Sequence, residues 1–197
     1  MANIITASNG YKMRPIKESD YTFVMETIKD FPLGVMTYSR RINEFSRMLY
    51  VSEGFDSILS GGEYTASIAT IIEKPDGTAV ALRHNRIFNN VAEIRIGAVH
   101  PDHRGNKYQT VNSMLNGHWV FNVLNCTTQW VEFIDSGNIK TIADKWRPGW
   151  STSESTRAAK ANPGPEATLT KVTQTAAEYE TYRAAHSTWG SITYTVS

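Results

Sequence analysis

Between Ala92 and Gln109 the chain concentrates side chains that can move protons or hold charge: Glu93, Arg95, His100, Asp102, His103, Arg104, Lys107 and Tyr108. The run begins with the alternation of a strand and ends where a helical pattern starts, so these groups gather at a strand-to-helix junction. Such a junction presents unpaired backbone N–H groups and the positive end of the helix dipole, which together stabilise a phosphate. Arg104, where the helix opens, can add a guanidinium to that grip; otherwise it is an ordinary loop residue. Glu93 alternates with Ile94 and Ile96, which puts Glu93, Arg95, Gly97 and Val99 on one strand face opposite an apolar one. On that face Glu93 is either half of a solvated charge pair or, where burial raises its pKa, a general base. His100 and His103 have no Cys or carboxylate cluster at ligand spacing beside them, so they read as surface-loop histidines and no metal is expected. Cys126 reads as a small core residue, since no neighbouring motif activates its thiol.

A sheet and helices must hold that junction. The 197 residues fit a single domain, 1–197, with enough chain to bury a sizeable core. At 41% hydrophobic and 20% charged residues the composition is that of a folded globular protein. The net charge of +1 gives no strong nucleic-acid signal. One cysteine excludes an internal disulfide, no run approaches a membrane span, and the N-terminus lacks a secretion signal, which together suggest a cytoplasmic protein.

Tyr11–Pro15 reads as a short strand, and Ser19-Asp20 as the cap of a helix carrying Phe23, Val24, Ile28 and Phe31. Ile42, Phe45, Met48 and Leu49 mark a second helix. Three strands follow, Ala66–Ile72, Thr78–Phe88 and Val91–Val99, separated by the turns Lys74-Pro75-Asp76-Gly77 and Asn89-Asn90. Tyr108–Leu124 reads as a helix despite Gly117, Thr128–Ile134 as a strand, and Asn138 caps a helix reaching Trp146. Residues 151–165 read as an exposed loop, before strands Ala167–Val172 and Ser191–Val196 flanking a helix near Ala176–Ala185. Trp146, Trp150 and Trp189 belong either to an acceptor pocket or to the core.

Val99-His100-Pro101 and Arg104-Gly105 resemble the central motif of the GNAT superfamily of N-acetyltransferases, a strand ending in Val-x-Pro and an Arg-x-x-Gly-x-Gly/Ala loop opening a helix. Asn138 with Gly149-Trp150 resembles the family's Asn-capped helix ending in Gly-Phe. The order of elements is also similar, while the two loop glycines are Lys107 and Gln109 here, and Lys145, or Trp146 if one residue is gained, stands where many members carry a tyrosine acid.

The resemblance implies an α/β fold, of mixed α+β character, with a mixed, mostly antiparallel sheet of about seven strands and helices on both faces. It implies transfer of an acetyl group from acetyl-CoA, as co-substrate, to a primary amine by direct attack. Glu93 would remove the amine proton, and Tyr108 or Lys145 would protonate the departing thiolate. Ala98, Val99, Arg104, Gly105, Asn106, Lys107, Tyr108, Gln109 and Asn138 would bind the coenzyme. The acceptor is a small-molecule or protein amine, with acceptor-side residues in 31–65 and 146–165, and a homodimer is compatible with the pattern. The alternative is a GNAT-fold binding or structural protein that has lost catalysis.

Overall fold

A computed structural model describes residues 4–29, 43–46, 48–49, 66–134, 151–157 and 167–197. Among these residues nine strands form one sheet: β1 Ile5–Ala7, β2 Lys12–Pro15, β3 Ala66–Glu73, β4 Ala79–Phe88, β5 Val91–Val99, β6 Thr128–Ile134, β7 Ser151–Arg157, β8 Ala167–Thr175 and β9 Tyr194–Val196. Their order is β7-β8-β6-β5-β4-β3-β2-β1-β9. Every neighbouring pair is antiparallel except β5 with β6.

Both expected hairpin turns form, for the reasons their residues give. Gly77 takes φ 85° and its N–H donates to the Lys74 carbonyl at 2.9 Å. Asn89 and Asn90 both lie in the left-handed region, at φ 46° and 60°, which suits the twist of a two-residue hairpin. The sheet gains strands over the expected seven. Ile5–Ala7 joins the N-terminal edge, and Ser151–Arg157, read from its composition as loop, pairs along β8.

Helices cover both faces. On one lie α1 (Tyr21–Ile28) and the helical residues 43–46 and 48–49, here α2, whose Val24, Ile28, Phe45 and Met48 pack on Ile71, Leu82, Ile96 and Ala98. On the other lie α3 (Tyr108–His118) and α4 (Ala176–Ala185), with Val111, Met114, Leu115 and Tyr179 packing against Ile72, Ala81, Ile87 and Ala92. Two helix starts differ in how they are capped. Thr175 and Glu178 close a capping box at α4. Asp20 makes no side-chain cap on α1; its carboxylate instead takes Arg14 at 2.7 Å and the Lys17 N–H at 2.8 Å, because a charged partner outbids a helix amide.

The expected helix 108–124 changes pitch after His118, and Trp119–Val123 forms a π-helical turn. Cys126 is buried, and burial pushes its thiol pKa up, in keeping with a core role. Among the described residues no helix is long and apolar enough to cross a membrane.

Candidate active site

The one parallel pairing among the described residues is short. β5 and β6 are joined only at Val91–Thr128, Ala92–Gln129 and Glu93–Trp130, whereas β6 continues alongside β8 as far as Ile134. Beyond Glu93 the two strands part, leaving a wedge in the middle of the sheet. Gly97 is exposed although it lies on a central strand, which marks the open side of that wedge. A side chain there would also strike Arg83, whose Nη1 would lie 2.6 Å from an added Cβ.

A bulge sets which residues face which layer. His84 pairs with Ile96 while Asn85 pairs with Ile94, so Arg95 is an extra residue without an opposite number. Glu93, with its cross-strand partner Arg86, therefore faces the α1–α2 side, and Gly97 the α3 side. This corrects the expectation that Glu93, Arg95, Gly97 and Val99 share a face. Simple alternation fails because the bulge inserts one residue into the pleat. Glu93 is only partly exposed, and its carboxylate lies 3.7 Å from Arg95 Nη1.

The closed end of the wedge is fastened by buried amides. Asn85 donates to Asn116 of α3, Asn116 donates to Gln129 of β6 at 2.9 Å, and Gln129 donates to Gln174 of β8 at 2.8 Å. Nearby, buried Arg83 donates to Asn112 of α3 at 3.0 Å, and Asn112 donates to the Leu82 carbonyl. Each amide donates to the next, which is what makes burying such groups tolerable, while Asn85 Oδ1 at the first rung has no hydrogen-bond partner among the described residues. The ladder fixes α3 across the strands it spans. Sequence reasoning missed it, because isolated Asn and Gln carry no periodic signal.

At the mouth, Val99 leads through a short 3₁₀ turn, Pro101–His103, to the loop before α3. Arg104 is exposed, with Nε reaching the Val99 carbonyl at 3.4 Å. Gly105 and Lys107 both take left-handed backbone, at φ 83° and 61°. Alternating left-handed residues curl a loop into the kind of nest that gathers amides around an anion. Among the described residues none accepts a hydrogen bond from the backbone N–H groups of residues 105–109. Lys107 thus adopts the conformation a glycine would take, at a cost of about 1–2 kcal/mol for a residue with a Cβ. Asn106 is exposed, its side chain tied to the His103 and Arg104 carbonyls, while Gln109 is buried.

The other site residues are dispersed. Ala98 is buried on the α1–α2 side, and Val99 pairs with Ala81. Tyr108 sets its ring edge against Tyr11 and His103, on the β2 side of α3, and is not brought to Glu93. His100, expected at the surface, is buried. It stacks on Phe23 and bonds Glu26 of α1 at 3.1 Å, so it ties α1 to the end of β5. Trp189 is core. Asn138, Lys145, Trp146 and Trp150 lie outside the described residues.

No family model matches the sequence, and no curated protein matches it. Solved structures do. A mutant form of spermidine N-acetyltransferase SpeG from Vibrio cholerae is 12% identical, with a TM-score of 0.66 over 86% of this chain and 96% of that one. The same organism's spermidine/spermine N-acetyltransferase SpeG in complex with manganese ions is 12% identical, with a TM-score of 0.63 over 88% of this chain and 96% of the other. A dodecameric spermidine N-acetyltransferase from Vibrio cholerae gives 0.62 at 12% identity over 86% of this chain.

This is the GNAT fold. In this chain the fold carries the non-glycine Lys107 in the left-handed position and the amide ladder beneath α3.

Proposed function

We propose that the chain transfers an acetyl group from acetyl-CoA to a primary amine. The observation that carries this reading is the wedge: a gap between two central strands, exposed at Gly97, with backbone N–H groups of residues 105–109 at its mouth that no described residue accepts from. A diphosphate is held where those amides and the helix dipole converge, with Arg104 and Lys107 adding positive charge. The pantetheine arm lies in the gap, where strand edges beyond Glu93 offer it peptide groups.

The amine attacks the thioester carbonyl carbon, forming a C–N bond as the C–S bond breaks and the electron pair leaves with sulfur. Glu93, where β5 and β6 part, takes the amine proton through water. Backbone N–H near Val99 polarises the carbonyl. Holding the two reactants together and stabilising the developing charge supply most of the acceleration in such a site.

The solved structures support acetylation of an amine at the level of fold, and spermidine, on which those proteins act, heads the acceptors to test. Self-association, expected as a homodimer, belongs to the same reading, since one neighbour is a dodecamer. The rival reading, a binding protein without catalysis, draws on the missing loop glycines and the missing tyrosine acid. The left-handed Lys107 supports the transfer reading at one of the two glycine positions.

Thiol release from acetyl-CoA in the presence of spermidine, amino-acid amides or a lysine peptide tests the proposal. Release above the amine-free blank is expected for at least one acceptor class. Release from none, together with a clear thermal shift by acetyl-CoA, would establish the binding protein instead.

A further inference from the structure

On the α1–α2 face lies a group of buried polar side chains that the transfer chemistry does not use. His84 is 1% exposed; its Nε2 hydrogen-bonds Ser67 Oγ at 2.9 Å, while Nδ1 lies 3.2 Å from Glu44 Oε1, close enough for charge pairing but without hydrogen-bond geometry. The three residues come from three elements, β4, α2 and β3, and Ser67 and Glu44 are themselves only 3% and 8% exposed. The order Ser, His, acid reproduces the atoms of a hydrolytic triad. Ser67 is too deeply buried for a substrate carbonyl to reach it, which excludes a nucleophile. What remains is a clasp, joining a helix to two strands through one ring.

Such a clasp is a poor way to gain stability. A buried polar trio costs desolvation that an apolar trio of the same volume avoids, and the nearest side chains on this face, Ala69 opposite His84 and Leu82 two residues before it, are apolar. Perturbed, buried ionisable groups next to a cleft point to a functional demand. The location supplies that demand. His84 pairs with Ile96 at the step where Arg95 bulges out, and Arg86, two residues on, pairs with Glu93. The groups facing His84 are Glu44 from α2, Ser67 from β3, Arg86 from its own strand and Arg95 from the bulge. The clasp therefore seats α2 against the sheet next to the side chain assigned to take the amine proton.

Resting on the acetyl-transfer reading, the geometry points to His84 as a positioning residue for the acceptor amine: by clasping Glu44 and Ser67 it fixes α2 as the wall past which the amine reaches Glu93. The diphosphate nest lies on the loop before α3, on the other face, so acceptor and coenzyme respond separately. Burial holds the His84 pKa below the ordinary histidine value, with Glu44 opposing that shift and Arg86 and Arg95 reinforcing it. The contribution of neutral His84 to stability is therefore complete above about pH 6.5 and is lost as pH falls from there toward the folded-state value.

Steady-state kinetics with the most active amine of the panel tests the assignment, with acetyl-CoA thermal shift as the check on folding and coenzyme binding. His84→Leu should raise the amine KM about tenfold and leave the acetyl-CoA KM unchanged. His84→Asn, which keeps a donor toward Glu44, should recover part of the loss and serves if the leucine variant does not fold. Wild type should lose stability on acidification below about pH 6.5, and His84→Leu should flatten that slope. An unchanged amine KM in both variants, or equal rises in both KM values, overturns the positioning role alone. A wild type that acetylates no amine overturns the transfer reading and this proposal with it.

Discussion

With Gln in place of Glu93, amine acetylation should fall by about a hundredfold or more, the range that loss of a general base produces. A protonated amine has no lone pair to offer the thioester, so a base must act before or during attack. Glu93 occupies the last rung of the β5–β6 ladder, where the wedge begins, and the bulge at Arg95 turns it toward the α1–α2 side. Gln has the same shape and cannot take the proton. Binding of acetyl-CoA should be nearly unaltered, because the amides of residues 105–109 belong to a different segment. Initial rates of thiol release paired with thermal shift check both halves. Equal turnover in the two proteins would remove Glu93 from the mechanism.

A second large effect is expected at Gly117, far from the chemistry. Glycine inside a helix ordinarily costs about 1 kcal/mol relative to alanine, so Gly117→Ala would normally stabilise α3. Here an added Cβ would overlap Cε2 and Cδ2 of Tyr179, a ring 1% exposed, whose hydroxyl donates to the Met114 carbonyl at 3.0 Å. The glycine lets α4 lie directly on the backbone of α3. Alanine should destabilise by about 3 kcal/mol, at the upper end of overpacking costs. Urea denaturation measures it, and a double-mutant cycle with Tyr179→Ala should show strong coupling. Stabilisation by alanine would contradict the contact.

Local signals made much of the fold legible in the sequence. Asn89-Asn90 and Lys74 to Gly77 announced their hairpins because left-handed backbone and tight turns select those residues. The strand-to-helix junction was visible in the switch from strand alternation to helical spacing. Strand β7 was hidden, since Ser151–Arg157 is polar throughout and becomes a strand by pairing with β8 at the sheet edge. The bulge left no mark either: Ile94 and Ile96 look like one apolar face and lie on opposite ones. The amide ladder and the His84 clasp join residues far apart in sequence, so no window of the chain contains them. Asp20 misled in another way, its capping chemistry being taken by Arg14.

A crystal structure of the protein with coenzyme A bears most directly on the central claim that the parted strands form a coenzyme cleft. The diphosphate should rest against the backbone N–H groups of residues 105–109, with the pantetheine chain passing between β5 and β6 beside Gly97. Coenzyme bound elsewhere, or a gap closed by the protein's own side chains at millimolar coenzyme, would contradict it.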